Sequence, residues 1–151
     1  MLYYFDSSIV LAILLDEKRK DEAKKLWDNA TVRVSSILLK LETITVLRRT
    51  YEQNKNRLEP TWLTKKMNEL NEYLQEINIR ILDKDIEKII YLKKEISKCK
   101  TLDAIHIATA IEFSELLPSY EFYLYTFDVG MANLARLFKF KINESKDEYF
   151  I

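Results

Sequence analysis

LYYFDSSIVLAILL, residues 2–15, joins a strand pattern to a helix pattern at one acidic residue. Leu2 to Phe5 is a short apolar, aromatic run that reads as a buried strand, and it ends at Asp6. Ser7 or Ser8 is a suitable cap for a short helix running through Leu15. The same alternation continues downstream. A charged helix is expected from Lys18 to Asn29, then a strand from Thr31 to Ser35, where Val32 and Val34 alternate with polar residues. Ser35 or Ser36 then caps a long helix to Gln53. Asn54 to Asn56 forms a turn, and Pro60 suits the first turn of a helix ending near Ile77. Ile79 to Leu82 is a third strand candidate, followed by an amphipathic helix from Asp85 to Ser97. Thr101 caps the next helix, which Pro118 stops after Leu117. Glu121 to Phe127 is an aromatic strand, Met131 to Phe138 a short helix, and Phe140 to Ile142 a last strand. Strands alternating with helices predict an α/β sandwich with a largely parallel sheet of about five strands.

Composition narrows what such a fold does. At 151 residues the chain is expected to form one domain over 1–151, able to bury about two-thirds of its unfolded surface. The longest apolar run, Ile9 to Leu15, is too short for a membrane span, and no basic segment precedes it as in a signal peptide. Cys99 is the only cysteine, so an internal disulfide and a cysteine-rich zinc site are excluded, and a cytoplasmic location is expected. Lys plus Arg and Asp plus Glu number 24 each, so nucleic-acid binding must rest on a local basic patch. With Gly130 as the sole glycine, neither a P-loop, a dinucleotide fingerprint nor a G-x-S-x-G elbow exists. His106 is the sole histidine, which rules out the two-histidine pair of a metal-free ribonuclease. Carboxylates remain for chemistry.

Four of them stand out. Asp6 and Asp128 end predicted strands, where each also suits a helix cap. Asp103 lies in TLDAIHIATAIEF, residues 101–113, at a first helical turn where the macrodipole favours an anion. Glu42 has Leu38, Leu39, Thr45 and Val46 as helical neighbours, so it leaves a largely apolar face and needs a partner; Arg49, two turns on, is a candidate. Ligands bind beyond the carboxyl ends of parallel strands, and helices leaving those ends would carry Glu42 and Asp103 to the same edge. Hard oxygen ligands without histidine or cysteine suit Mg²⁺ or Mn²⁺.

YFDSS at 4–8, SSILLKLETITVLRR at 35–49, LDAIHIATA at 102–110 and LYTFD at 124–128 together resemble the PIN domain, and specifically the VapC-type toxins of toxin–antitoxin pairs. The likeness spans nearly the whole chain, with its motifs in family order. It implies a three-layer α/β/α sandwich and a metal-dependent endoribonuclease whose acids are Asp6, Glu42, Asp103 and Asp128. Ser7 and Thr126 match the small hydroxyl positions beside the first and last acids. A basic residue often precedes the third acid in the family; here Lys98 and Lys100 lie near that place. After Asp128 the chain reads Val-Gly-Met, without the charged residue many relatives carry.

The resemblance implies in-line hydrolysis of an RNA phosphodiester, leaving a 5′-phosphate and a 3′-hydroxyl, with carboxylates holding one or two Mg²⁺ ions. Transfer or ribosomal RNA is the substrate it suggests, and an antitoxin and a homodimer are the partners. Arg48, Arg49, Lys98 and Lys100 are candidates for the RNA backbone, against a reading as solvated surface charge. Leu47, Tyr51, Trp62, Leu63, Met67, Leu70 and Tyr73 form either a partner surface or intramolecular core. His106 is assigned to packing or hydrogen bonding rather than catalysis. Alternatives are a PIN nuclease acting in RNA processing or on DNA outside a toxin pair, and an inactive module binding RNA or protein. A phosphorylated receiver domain shares the layout but lacks its matching acidic pair and late lysine.

Overall fold

A computed structural model describes residues 1–143; residues 144–151 of the expected domain lie outside it. Strand β1 (Leu2–Phe5) is buried at every position, as its unbroken apolar sequence requires for a strand covered on both faces. Helices α1 (Ser7–Leu14) and α2 (Lys20–Asn29) lead to β2 (Val32–Ser36). Helices α3 (Ile37–Gln53) and α4 (Trp62–Gln75) lead to β3 (Asn78–Arg80). Helix α5 (Lys84–Leu92), a 3-10 turn (Lys94–Lys98) and α6 (Thr101–Leu116) lead to β4 (Phe122–Tyr125). Helix α7 (Val129–Leu137) and β5 (Lys141–Ile142) complete the described chain.

All strand pairs are parallel, in the order β3-β2-β1-β4-β5. Tyr4 lies between Val34 of β2 and Leu124 of β4, and Phe5 opposite Tyr125. The period-2 alternation of β1 divides the core. Tyr3 and Phe5 join a cluster with Ile9, Ile13, Trp27, Leu39, Leu47 and Leu70, under α1 to α4. Leu2 and Tyr4 join Ile86, Ile96, Ile107, Ile111 and Met131, under α5 to α7. Helices therefore cover both faces, the three-layer sandwich expected.

The seven large apolar residues considered as a partner surface belong mostly to the first cluster. Leu47 and Leu70 are fully buried, while Trp62, Leu63, Met67 and Tyr73 pack partly buried against it. Tyr51 stacks on Trp62 with ring centroids 6.4 Å apart. Two of the seven are thus core, and the other five keep part of their surface open.

Several boundaries differ from the sequence expectation. The cap of α1 is Asp6 rather than Ser7 or Ser8, because its carboxylate accepts from the Ser8 amide. Thr101 is the first residue of α6, not its cap; Lys100 holds that position without a side-chain bond. Ile81 and Leu82 lie beyond β3 and are exposed, since the strand ends where Arg80 turns to Asp83 and Glu112. The helix expected through Ser97 breaks at Lys93, whose backbone is extended. A continuous helix would place Ile96 about 80° around the axis from Ile86; the break lets both side chains bury in one cluster.

Candidate active site

The order of the strands reverses between β1 and β4, whose neighbouring carboxyl ends mark the switch point where open α/β sheets bind ligands. Asp6 follows β1 directly, and Thr126 and Asp128 follow β4. Asp6 is only 5% exposed. Its Oδ1 accepts from the Ser8 amide at 3.0 Å and the Ser8 hydroxyl at 2.5 Å, and its Oδ2 accepts from the Thr126 hydroxyl. The Thr126 oxygen in turn accepts from the Asp128 amide at 2.9 Å, and Ser8 Oγ accepts from the Phe127 amide at 2.8 Å. This lattice of short bonds fixes the two strand ends against each other.

Asp128 caps α7 by accepting from the Met131 amide at 2.8 Å through Oδ1. A Cβ at Gly130 would come within 3.1 Å of that oxygen, so the chain's one glycine stands where the capping carboxylate folds closest to the backbone. Glu42, one and a half turns into α3, is half-buried. Its Oε1 lies 2.7 Å from His106 Nε2, while Oε2 makes no hydrogen bond among the described residues. Asp103, in the first turn of α6, is half-buried and makes no side-chain hydrogen bond or ion pair among them.

The acids share one electrostatic environment. Burial raises the Asp103 carboxyl above its ordinary value, the charge of Asp128 raises it further, and Glu42 adds to this against His106 and Lys100. Burial likewise raises Asp6, against the hydrogen bonds from Ser8 and Thr126. Desolvation thus opposes both charges, and at Asp103 the neighbouring acids oppose it as well. A group that holds its proton more tightly folded than unfolded loses stabilisation as pH climbs above its unfolded value, here 3.8 for Asp103. Asp103→Asn is neutral at every pH. It should melt above the wild type at pH 7, with the gap closing as the pH is lowered toward about 4. Thermal unfolding across that range checks this; a gap independent of pH would show that Asp103 is not opposed by its surroundings.

Sequence reasoning missed the roles of Ser8 and Tyr4 and the partner of Glu42, while its assignment of His106 to hydrogen bonding holds. Ser8, not Ser7, supplies the hydroxyl beside Asp6, and Ser7 makes no side-chain hydrogen bond among the described residues. His106, not Arg49, is the partner of Glu42. Tyr4, fully buried in β1, places its hydroxyl 2.7 Å from His106 Nδ1. The only advance signal was a lone histidine on a helix otherwise made of small and branched apolar residues. Of the basic candidates, Arg48, Arg49, Lys98 and Lys100 are all exposed. Only Lys100 is close enough to act on Asp103. Arg48 and Arg49 stand about 9 to 10 Å further along the α3 axis than Glu42.

Among the described residues, no three acidic, histidine or cysteine side chains converge as a preformed metal cage. The donors nevertheless fit a hard cation. Mg²⁺ keeps several waters and is held by one or two carboxylates together with substrate phosphates. Asp103 and the second oxygens of Glu42 and Asp128 carry no protein hydrogen bond among the described residues, so they offer oxygen donors of that kind.

No helix among the described residues is long and apolar enough to cross a membrane. The fold is similar to that of the VapBC2 complex from Rickettsia felis bound to a DNA fragment from their promoter, at 12% identity and a TM-score of 0.64, over 97% of this chain and 100% of that one. It is also similar to a toxin–antitoxin complex from Klebsiella pneumoniae, at 19% identity and 0.57, over 83% and 86%. VapBC-1 from nontypeable Haemophilus influenzae gives 12% and 0.54, over 95% and 98%. No curated protein sequence matches the chain. The acids at the switch point, the parallel sheet that brings them there and a match to the PIN domain model over residues 3–137 agree: the chain belongs to the PIN-domain family.

Proposed function

We propose that this protein is a divalent-cation-dependent endoribonuclease and the toxin of a toxin–antitoxin pair. The observation that carries the reading is the grouping of Asp6, Asp128, Asp103 and Glu42 around one switch point, where Asp103 stands unpartnered among the described residues and opposed by Asp128 and Glu42. Family membership adds to it, and so does the likeness to solved toxin–antitoxin complexes.

Asp6, Asp103, Glu42 and Asp128 would hold Mg²⁺, or Mn²⁺ in its place. When bound, the ion would lower the pKa of a coordinated water and neutralise the charge that builds on the phosphoryl oxygens. The chain's own residues supply the frame. Thr126 and Ser8 hold Asp6 and the end of β4 in a fixed relation, so the carboxylates need not reorganise when a phosphate arrives. Lys100, beside Asp103, offers a cation to the phosphate backbone, and the exposed Lys98, Arg48 and Arg49 are further candidates for it. The substrate is RNA, with transfer or ribosomal RNA the first to test; the protein acts in the cytoplasm, with an antitoxin and a second copy of the chain as its partners.

The test is cleavage of labelled transfer and ribosomal RNA by purified protein in Mg²⁺, with and without EDTA. Metal-dependent cutting supports the reading, and none with any RNA would leave a binding module in its place. Co-purification with the product of an adjacent small gene tests the antitoxin, and light scattering the dimer. A cation that binds only the folded state stabilises it by about 2.7 kcal/mol at one hundred times its dissociation constant. For a chain of this size the melting temperature should rise by about 5 to 10 °C in Mn²⁺, and Asp103→Asn should show a smaller rise. Equal rises in the two proteins would put the ion elsewhere.

A further inference from the structure

Behind the acidic edge, a chain of hydrogen bonds runs from the sheet to Glu42. The Ser36 amide donates to the Tyr4 hydroxyl at 3.3 Å, that hydroxyl lies 2.7 Å from His106 Nδ1, and His106 Nε2 lies 2.7 Å from Glu42 Oε1. Tyr4 is fully buried and His106 is 3% exposed, whereas Glu42 retains 31% exposure. The chain thus starts in the buried core between β1 and α6 and ends where solvent begins.

The chemistry of the three groups fixes the order of donors. An ionised carboxylate only accepts, so Nε2 must carry the hydrogen facing Glu42 whether or not the imidazole is charged; this assignment follows from the hydrogen-bond network. Tyr4 occupies Nδ1, and its edge-on ring, 5.9 Å from the imidazole and at 89° to it, limits rotation about the histidine side chain. Both ring nitrogens are therefore engaged, and the imidazole is held in one orientation. One oxygen of Glu42 is tied down, and the other makes no hydrogen bond among the described residues.

We infer that His106, pinned by Tyr4, is a positioning residue. It fixes the Glu42 carboxylate so that Oε1 is spent on the protein and Oε2 is presented to a divalent cation at the acidic site. This rests on the proposed metal-dependent function. Partners that hydrogen-bond a ligating carboxylate orient it, and their loss typically costs about 10- to 100-fold in metal affinity. The positions of Tyr4 and His106 are as much part of the site as the acids, although neither touches the reacting atoms.

The experiment uses the full chain and Mn²⁺ as probe, with free Mn²⁺ measured by electron paramagnetic resonance and the histidine nitrogens by ¹⁵N NMR on metal-free protein. The sole histidine makes the spectrum unambiguous. The wild type should show a protonated Nε2. His106→Leu should weaken Mn²⁺ binding by about 10- to 100-fold, and His106→Gln, whose amide reaches the same place as Nε2, should recover most of the loss. Tyr4→Phe should release the ring and weaken binding in the same direction, and it carries the comparison if His106→Leu fails to fold. Wild-type Mn²⁺ affinity in folded His106→Leu, or in Tyr4→Phe if that variant stands in, overturns the role, as does a bare Nε2 in the wild type. A wild type that binds no Mn²⁺ overturns the metal reading and this role with it, whereas binding that His106 does not influence overturns the role alone.

Discussion

Asp103→Asn is expected to lower RNA cleavage in Mg²⁺ by about a thousandfold or more while leaving the protein folded. The metal's charge is worth several kcal/mol in a phosphoryl transition state, and each 1.36 kcal/mol is tenfold in rate. Asp103 makes no side-chain hydrogen bond among the described residues, so replacing its carboxylate breaks no structural contact there. Asp6→Asn should fall by a similar factor for a different reason. Asn caps a helix about as well as Asp, so α1 keeps its start, but the negative charge beside Thr126 is lost. Single-turnover cleavage of a labelled RNA, alongside circular dichroism of each variant, measures both. A folded Asp103→Asn protein that cuts at near wild-type rate would remove Asp103 from the site. Lys100→Ala is the useful contrast, since losing one exposed cation should shift binding and its salt dependence far more than the chemical step.

Trp27→Ala should be the most damaging single change to the fold. Trp27 is 1% exposed, lies 5.0 Å from Phe5 and 5.2 Å from Tyr73 between ring centroids, and donates from Nε1 to Glu76 Oε2 at 2.7 Å. It thus joins α2 to β1 and α4 in the cluster on one face of the sheet. Truncating a buried tryptophan costs about 3 to 5 kcal/mol through lost transfer free energy and the cavity left behind. At about 2 to 4 °C per kcal/mol, the melting temperature should drop by roughly 6 to 20 °C. Trp27→Phe keeps most of the ring but not the hydrogen bond, and should recover more than half of the loss. If Trp27→Ala melted within a degree or two of the wild type, α2 would not be docked on the sheet as described.

Local pattern made much of this protein legible. An apolar run closed by an acid, then a capped helix, recurs along the chain, and each recurrence became a strand and a helix within a few residues of its expected place. Asp6 and Asp128 could be put at strand ends because a strand's end and a helix's cap are written in adjacent residues. Where the pattern misled, a distant contact had taken over: Ile96 left the line of α5 to reach the second core cluster. The partner of Glu42 was not legible. His106 is 64 positions from Glu42, and Tyr4 is 102 from His106. Periodicity tells which face a side chain occupies, but not which strand lies beside it. The strand order β3-β2-β1-β4-β5 makes β1 central, and with it brings α3 and α6 together over Tyr4. Sequence alone determined which residues carry charge to the sheet's edge; the tertiary structure decided which of them are held, and by what, because a hydrogen bond between elements depends on the packing of the whole sheet and not on any local run of residues.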